Sequence, residues 1–304
     1  MRRSAACAGR KGVAVPDVVA GPVVGVVHPG EMGASVAGAL VAQGVTVIWA
    51  SEGRSEQSRR RAEAAGLKDA GSLEKLATAA DIIVCVCPPD KAGAVARAAA
   101  EASFGGLYVD ANAVAPATAR GIQAIVEAQS GSFVDGGIIG APARAGGSTR
   151  LYLSGPEAAR VAALFAGSDH LQAVVLGRET TTASALKMCY AAWTKATAAL
   201  LLAVRAAAGA MGVEAALLAE WEHSQPDLVA RMEAAGRAVP KAWRFAGEMQ
   251  EIARAFAESD AAGAGFADAA AEVFGALAEF KDAEAFELSA VLEALAPQAP
   301  HASS

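Results

Sequence analysis

Four residues on one predicted helix have the types and the spacing needed to move a proton to or from a bound molecule. Lys187, Tyr190, Ala191 and Thr194 stand at i, i+3, i+4 and i+7 in the helical stretch 182–211, so they share one helix face. A lysine amine in a desolvated cleft has its pKa lowered towards neutrality. We therefore predict that Lys187 is a general acid or base and that Tyr190 shares the proton or orients the substrate. The alternatives are a surface lysine and a tyrosine that packs in the core or against a second chain.

A turn with two glycines follows the first predicted strand. The pattern predicts a strand at 23–27, a helix at 34–43 and a second strand at 45–49, which is a βαβ unit. Glycines in such a turn let the chain approach the pyrophosphate of a dinucleotide at the helix N-terminus. A strand–helix turn without a ligand is the alternative. The predicted cofactor-binding residues of the turn are His28, at the first glycine place, Pro29, Gly30, Glu31, Met32 and Gly33.

The end of the second strand indicates which dinucleotide is bound. NAD enzymes usually carry an acid there, which binds the ribose 2′-hydroxyl. Here no acid ends the strand directly, although Glu52 follows, and Ser51, Arg54 and Ser55 stand nearby. Hydroxyl and guanidinium groups suit a 2′-phosphate. We therefore predict NADP (NADPH) in preference to NAD, with a solvated helix face as the alternative for the arginines that come later.

Two further strand ends are predicted to form the wall of the cofactor site. Cys85 and Cys87 lie two residues apart on an apolar run, so they share one strand face as small buried side chains. Cys87 and Pro88 end this run, and Pro88 shapes the wall without donating a hydrogen bond. Asn112 follows the next strand and is predicted to contact the nicotinamide ribose or carboxamide. An Asx turn is the alternative for Asn112.

The rest of the chain predicts the architecture that positions these groups. Apolar strand-like runs alternate with helical stretches up to about residue 180, and only helical segments follow. This order predicts an α/β Rossmann-type doubly wound sheet followed by an all-α C-terminal domain. We predict a flexible N-terminal tail at 1–21, a dinucleotide-binding Rossmann domain at 22–180, an all-helical substrate and dimerisation domain at 181–290, and a flexible C-terminal tail at 291–304.

Composition and charge exclude several classes of protein. The 304 residues carry a formal net charge of −6 and no extended basic patch, which argues against a nucleic-acid partner. The most apolar run, 196–212, is short for a membrane span and is interrupted by Arg205, so we expect no membrane association. The cysteines form no CxxC pair, and the histidines have no metal-ligand spacing. We therefore expect a cytoplasmic protein without a metal.

Several of these segments together resemble one protein superfamily. Gly25 to Gly33 is similar to the GxxGxGxMG opening of the β-hydroxyacid dehydrogenase and 6-phosphogluconate dehydrogenase superfamily. Asp110-Ala111-Asn112 looks like its fifth-strand motif, and Lys187 matches its catalytic lysine. The resemblance covers about residues 23 to 285. The HPGEMG turn and the segments 185–195 and 241–249 resemble a poorly characterised branch, related to the imine reductases.

The resemblance implies a place for the substrate. Two positions depart from the family pattern, because Ile139 replaces a serine and Ala191 replaces an asparagine that normally help to hold a hydroxyacid. These departures favour a larger or less polar substrate. Asp135, just before this segment, is expected to pin its loop. The resemblance also implies a homodimer through the helical domain. The implied substrate-binding residues are Gly136, Gly137, Ile138, Ile139 and Ala191.

Three functions follow from these patterns. The first is an NADP-dependent oxidoreductase that transfers a hydride between the nicotinamide and a carbonyl/alcohol substrate, with Lys187 as the general acid or base. The second is an NADPH-dependent imine reductase, although such enzymes typically lack the lysine. The third is a non-catalytic NADP-binding module, which His28 in the turn and the two changed substrate positions favour.

Overall fold

The computed structural model describes residues 21–260 and 262–296, and its centre is one sheet of eight strands. The strands lie in the order β3-β2-β1-β4-β5-β6-β7-β8. All neighbouring pairs are parallel except β6 and β7. The strands are β1 Val23–Val26, β2 Thr46–Trp49, β3 Lys68–Asp69, β4 Ile82–Cys85, β5 Leu107–Asp110, β6 Ser132–Ile139, β7 Arg150–Ser154 and β8 Gln172–Gly177.

Helices cover both faces of this sheet because successive strand residues point to opposite sides. On one face, Val24 and Val47 pack with Leu40. On the other face, Ile83 and Tyr108 pack in a second buried cluster. The direction of the strand order changes between β1 and β4, where ligands bind in doubly wound sheets. The helices are α1 Glu31–Ala42, α2 Glu56–Ala64, α3 Leu73–Ala79, α4 Pro89–Glu101, α5 Pro116–Glu127 and α6 Ala158–Ala163.

The part of the chain after the last strand is helical and has a core of its own. Met188, Met249 and Phe274 are completely or almost completely buried in this core. A π-helical turn, Ala192–Ala196, separates α7 from α8, and short 3₁₀ turns occur at Val239–Lys241 and Ala278–Phe280. The helices are α7 Thr182–Ala191, α8 Thr197–Ala210, α9 Glu214–Ser224, α10 Asp227–Ala238, α11 Ala242–Glu258, α12 Ala264–Ala276 and α13 Leu288–Leu295.

These observations confirm the predicted fold class and change several details. The continuous helix predicted at 182–211 is interrupted by the π turn, which hydrophobic periodicity does not reveal. β3 and β8, the two edge strands, were not predicted. β3 has only two residues, both exposed, and β8 has no buried residue, so neither forms a buried apolar run. The tail predicted from residue 291 is wrong for 291–295, which complete α13, and Val291 is buried. The predicted tails at 1–20 and 297–304 lie outside the described residues.

No helix in the described ranges has the length and apolarity that crossing a membrane requires.

A buried glutamate joins the helical part of the chain to the Rossmann sheet. α5 begins after Ala115 without a capping side chain of its own. Glu251 of α11 accepts hydrogen bonds from the Ala115 amide at 2.7 Å and the Thr118 hydroxyl at 2.8 Å, and it pairs with Arg254. These bonds satisfy donors that a helix N-terminus otherwise leaves free. The contact holds α11 against the edge of the sheet.

We expect Glu251→Ala to lower the free energy of unfolding by about 1–3 kcal/mol, because buried donors lose their acceptor. Urea unfolding followed by circular dichroism measures this loss. Glu258→Ala is the matched control. Glu258 accepts from the Ala117 amide of the same helix at 3.0 Å, but its side chain is 31% exposed. A loss of at most about 1 kcal/mol is expected there. Equal losses would contradict the capping role of Glu251.

Candidate active site

The turn after β1 is shaped by close packing between its first and last residues. The amide of Gly30 donates to the His28 carbonyl at 2.8 Å, which tightens the chain before α1. A Cβ on Gly33 would collide with that same backbone carbonyl. A Cβ on Gly30 would meet nothing within 4 Å. Gly33 is therefore needed for packing, whereas Gly30 leaves open space at the N-terminus of α1, the position at which dinucleotide-binding domains bind a phosphate group.

Two nitrogen atoms beside this turn are buried without hydrogen-bond partners, His28 Nδ1 and Arg54 Nε. Burial, followed by the positive charge of Arg54, lowers the pKa of His28 to about 4, so the imidazole is neutral at neutral pH. Burial also lowers the pKa of Arg54 from its ordinary value, although the group stays charged. Arg54 thus lies beside the turn rather than on the outer face of α2. The open space at Gly30 and these unpaired nitrogens fit an anionic dinucleotide.

The loop after β2 is held in place by the other residues that were predicted to bind the nucleotide. Ser51 is 6% exposed, and its carbonyl accepts from Arg59 at 3.0 Å. The Ser55 hydroxyl caps α2 by accepting from the Ser58 amide at 3.3 Å. Arg60 is exposed and pairs with Glu56, in agreement with a solvated helix face. Arg54 is therefore the arginine of this loop that faces the cofactor turn.

A buried network links the carboxyl ends of β4 and β5. Asn112 Oδ1 accepts from the Cys87 amide at 2.6 Å, and its Nδ2 donates to Asp110. Burial raises the pKa of Asp110 well above its ordinary value. Cys87 lies beyond the end of β4, and its Sγ is 3.8 Å from that of Cys85. The amide of Asn112 thus holds the wall in place and has little hydrogen-bonding capacity left for a nicotinamide.

The helix that carries Lys187 is anchored by a buried aspartate. Asp135 of β6 accepts from the Ser184 amide at 2.8 Å, from the Ser184 hydroxyl and from the Ser154 hydroxyl at 3.0 Å. The Ser154 hydroxyl also accepts from the Ala183 amide at 3.0 Å. Burial raises the pKa of Asp135, and the hydrogen bonds from Ser184 and Ser154 oppose that rise. Asp135 therefore caps α7, and its position agrees with the predicted structural role.

Lys187 lies in the second turn of α7, above the end of β6. Its Nζ donates to the Ile138 carbonyl at 2.8 Å. Burial, followed by the positive charge of Lys195, lowers the pKa of Lys187 to about 8, and Glu248 opposes this shift. An amine with this pKa exists in both protonation states near neutral pH. The geometry thus allows Lys187 to give up or accept a proton while its position stays fixed.

Further charged groups from α11 and the π turn surround this amine. Lys195, in the π turn, pairs with Glu248 and lies 5.1 Å from the centre of the Phe245 ring. Lys241 pairs with Glu31, the first residue of α1, at 3.2 Å. Glu31 would repel a phosphate at the helix N-terminus, and Lys241 compensates its charge. Lys195 and Phe245 were not predicted to lie in the site, whereas Glu248 was expected to reach it from this subunit or from a second one; the family-like segments 185–195 and 241–249 contain all three.

Two adjoining cavities bring some of the predicted residues together. The predicted cofactor-binding residues that line neither of them are His28, Pro29, Gly30, Gly33, Ser51, Arg54 and Ser55. The first, of about 380 Å³, is lined by Glu31, Met32, Cys87, Pro88 and Asn112 with Lys187. The second, of about 530 Å³, is lined by Tyr190 and Ala191, again with Lys187. Tyr190 is 44% exposed. The edge of the sheet and the helical part of the chain therefore share one cleft, with Lys187 at its centre.

Three residues predicted to bind substrate lie outside both cavities. A Cβ on Gly137 would lie 2.9 Å from the Ala183 carbonyl oxygen and 3.0 Å from Lys187 Cβ, so this glycine allows α7 to pack closely on β6. A Cβ on Gly136 would lie 3.0 Å from the Asp110 carbonyl oxygen. Ile139 is buried and lines neither cavity, whereas Ile138 lines the first. None of the three lines either cavity, and their role in substrate binding stays a prediction. Gly137 and Ile139 alternate with Ile138 along the strand and therefore face the opposite side.

Within the described part of the chain, no cluster of three or more His, Cys, Asp or Glu side chains is arranged to hold a metal ion.

Comparison with known families identifies the two parts of the chain. Residues 23–166 match the NAD binding domain of 6-phosphogluconate dehydrogenase. Residues 208–277 match a domain of unknown function, DUF1932. These two matches support the superfamily of the β-hydroxyacid and 6-phosphogluconate dehydrogenases. The resemblance drawn from the glycine turn and the strand motif is thus confirmed at the level of the superfamily. Lys187 lies between the two matched ranges, and its match to the catalytic lysine stays a prediction.

Individual relatives agree with this assignment. An uncharacterised 28.5 kDa protein of Methanothermus fervidus is 30% identical over 178 residues, which are 57% of this chain and 66% of that protein. The structure of MTH1747, a conserved protein described as similar to 3-hydroxyacid dehydrogenases, is 28% identical with a TM-score of 0.63, over 85% of this chain and 97% of that one. Mycobacterium tuberculosis 3-hydroxyisobutyrate dehydrogenase with L-serine shares the fold, at 18% identity and a TM-score of 0.66, over 90% and 99% of the two chains.

The two glycines of the turn give separate tests of packing and ligand approach. We expect Gly33→Ala to lower the free energy of unfolding by about 1–3 kcal/mol or more, because its methyl group meets the His28 backbone. We expect Gly30→Ala to leave thermal stability nearly unchanged and to weaken NADPH binding, since the methyl group fills the space open to a phosphate. Thermal unfolding and titration calorimetry measure the two effects. Unweakened NADPH binding by Gly30→Ala would argue against the predicted phosphate site.

Proposed function

We propose that this protein is an NADP-dependent oxidoreductase that interconverts a carbonyl compound and its alcohol, with Lys187 as the general acid or base. The observation that carries the proposal is the position of the Lys187 amine. Lys187 is half-buried, its amine donates to the Ile138 carbonyl at 2.8 Å, and it lines both a cavity at the sheet edge and a cavity in the helical domain. Similarity to a dehydrogenase superfamily supports the same chemistry.

The cofactor site of this proposal consists of residues around the turn and the switch point of the sheet. Gly30 would admit the pyrophosphate, and Arg54 would bind the 2′-phosphate by charge-assisted hydrogen bonds. Neutral His28 would supply one further hydrogen bond beside the turn. Cys87 and Pro88 would form the wall against the nicotinamide. When bound, the nicotinamide supplies or accepts the hydride.

Lys187 donates or accepts the proton that is transferred in this reaction. In the direction of reduction, negative charge develops on the substrate oxygen, and the protonated amine donates a proton to it. In the direction of oxidation, the neutral amine accepts the proton of the alcohol. The Ile138 carbonyl holds the amine in both states, since a neutral amine still has N–H donors. Tyr190, on the rim of the second cavity, would orient the substrate.

The pKa of about 8 at Lys187 leads to opposite pH profiles for the two directions. Reduction needs the protonated amine, so its kcat/KM is expected to fall about tenfold per pH unit above pH 8. Oxidation needs the neutral amine, so its kcat/KM is expected to fall about tenfold per unit below pH 8. NADPH oxidation with β-keto acids, semialdehydes and cyclic imines, and NADP⁺ reduction with the corresponding alcohols, measure these profiles.

Two lysine variants test the assignment. Lys187→Met is expected to reduce carbonyl turnover by about 10²–10⁴-fold and to abolish the break near pH 8. Lys195→Met is the matched control, because Lys195 lines the same cavities. It is expected to keep the break and to move it to higher pH, since a positive charge near Lys187 is removed. Imine turnover that survives in Lys187→Met would instead make the protein an imine reductase. NADPH binding without turnover of any substrate would favour the non-catalytic module.

The preference for NADP rests on Arg54. We expect Arg54→Gln to weaken NADPH binding about 10- to 100-fold, because a hydrogen bond from a charged group is lost, and to leave NADH binding nearly unchanged. Arg60→Gln is the control, since Arg60 is exposed and pairs only with Glu56 among the described residues. Fluorescence titration with both reduced cofactors gives the dissociation constants. An equal loss of affinity for NADH would mean that Arg54 does not bind the 2′-phosphate.

The helical domain is proposed to form a homodimer. Trp193, Leu200 and Phe266 are 66%, 62% and 79% exposed. Large apolar side chains at this exposure are favourable to bury against a second copy. The proposed enzyme acts on a small-molecule substrate in the cytoplasm.

A further inference from the structure

The space around Lys187 is divided between two cavities of different chemical character. The cavity of about 380 Å³ lies at the sheet edge, and the cavity of about 530 Å³ lies among the helices. Gly140, Lys187, Lys195 and Phe245 line both. The amines of Lys187 and Lys195 therefore stand at the junction of the two spaces, so a molecule that reaches Lys187 has access to each of them.

The inference rests on the proposed function, which assigns the first cavity to the cofactor. Met32 from the phosphate-binding turn and Cys87 and Pro88 from the end of β4 line that cavity. A nicotinamide at the carboxyl edge of the sheet would occupy it. A substrate whose carbonyl carbon is within reach of both the ring and Lys187 must then place the rest of its atoms on the other side of the amine. The second cavity provides that space.

The second cavity has mostly apolar walls. Ala198 and Leu201 of α8, Ala235 of α10, and Phe245 and Phe274 contribute them. Ala191 also lines this cavity, and it stands where the family resemblance implies an asparagine that would hold a hydroxyacid. The loss of that amide removes a polar group from the wall. Arg231 and Thr197 line the cavity as well, but apolar side chains contribute most of its wall. Such a pocket binds an apolar group by the hydrophobic effect.

The π turn gives the pocket its rim. Trp193 and Thr194 of this turn line the second cavity together with Lys195. A π-helical turn contains one more residue than an α-helical turn, and such turns are frequent at functional sites. The pocket rim and the ion pair of Lys195 with Glu248 are thus built by the same local irregularity.

We propose that the substrate carries a bulky apolar arm, of the size of a phenyl or branched alkyl group, next to its reacting carbon, and that the second cavity binds this arm. The substrate class is therefore an apolar-substituted carbonyl compound or the corresponding alcohol. A short hydroxyacid would leave most of the 530 Å³ pocket unused. The competing occupant is an apolar side chain of a second copy of this chain.

Matched substrate pairs test the proposal with the full-length protein and NADPH. One pair is acetoacetate and 3-oxo-3-phenylpropanoate, and the other is 1-pyrroline and 2-phenyl-1-pyrroline. Each pair differs only in the apolar arm. We expect the phenyl compound to have a kcat/KM at least about tenfold higher than its partner, because the arm is buried in the second cavity. A ratio near one would overturn the proposal while leaving an active oxidoreductase in place.

Variants that fill the second cavity test whether the apolar arm of the substrate binds there. Ala198→Leu places a larger side chain inside the second cavity. We expect it to reduce about tenfold the ratio of kcat/KM for the phenyl compound to kcat/KM for its partner. Ala207→Leu is the matched control on the same helix. Ala207 is exposed and lines neither cavity, so the ratio should not change. Ala235→Leu, which fills the pocket from α10, replaces the first variant if Ala198→Leu does not fold.

Light scattering of the wild type and Ala198→Leu decides between the two occupants. A dimer in both proteins, with a lower substrate ratio only in the variant, supports a substrate arm in the pocket. The opposite result is a wild-type dimer that dissociates in Ala198→Leu, with a kcat/KM ratio near one in both proteins. This result would place a second copy of the chain in the second cavity and overturn the proposal. No turnover of any compound by the wild type would overturn the proposed function, and the inference with it.

Discussion

The candidate site depends on one buried interaction, the capping of α7 by Asp135. This carboxylate receives the Ser184 amide and the hydroxyls of Ser184 and Ser154, and so joins two strands to the start of the helix. A helix N-terminus is electropositive and has free amides, which makes a carboxylate favourable at this place even under burial. The absence of a side chain at Gly137 lets the helix approach closely enough for these bonds. The position of Lys187, one turn later, follows from this anchor.

A second helix cap joins the two parts of the chain, and here the acidic side chain comes from the helical domain. Glu251 of the helical domain caps α5 of the Rossmann domain, so each domain contributes to a helix start at their boundary. Lys241 of the helical domain also pairs with Glu31 at the start of α1. The cleft between the domains is therefore bounded by polar contacts, while its inner helical wall is apolar. This contrast agrees with the proposal that a charged cofactor binds at one end of the cleft and an apolar group at the other.

The sequence predicted the chemistry of the site better than its geometry. Gly30, Gly33, Arg54 and Lys187 were recognised because a turn, a charge and a helical position are local properties. Gly136, Gly137 and Ile139 were assigned to the substrate by motif position, but the strand they belong to buries them against α7 and the sheet. Burial of this kind depends on which elements pack above the strand, and no local pattern reports it.

The sequence by itself determined the alternation of strands and helices in the first part of the chain, the helical second part, the glycine turn and the presence of a lysine early in the helical domain. These follow from periodicity, from backbone conformations and from residue types, which act over a few neighbouring residues. Only the tertiary structure decided that Asp135 caps α7, that Glu251 caps α5 from 136 residues away, and that Lys195 and Glu248 stand beside Lys187. Contacts between segments distant in sequence create the burial and the charges that lower the pKa of Lys187 to about 8, and these properties exist only when the chain is folded.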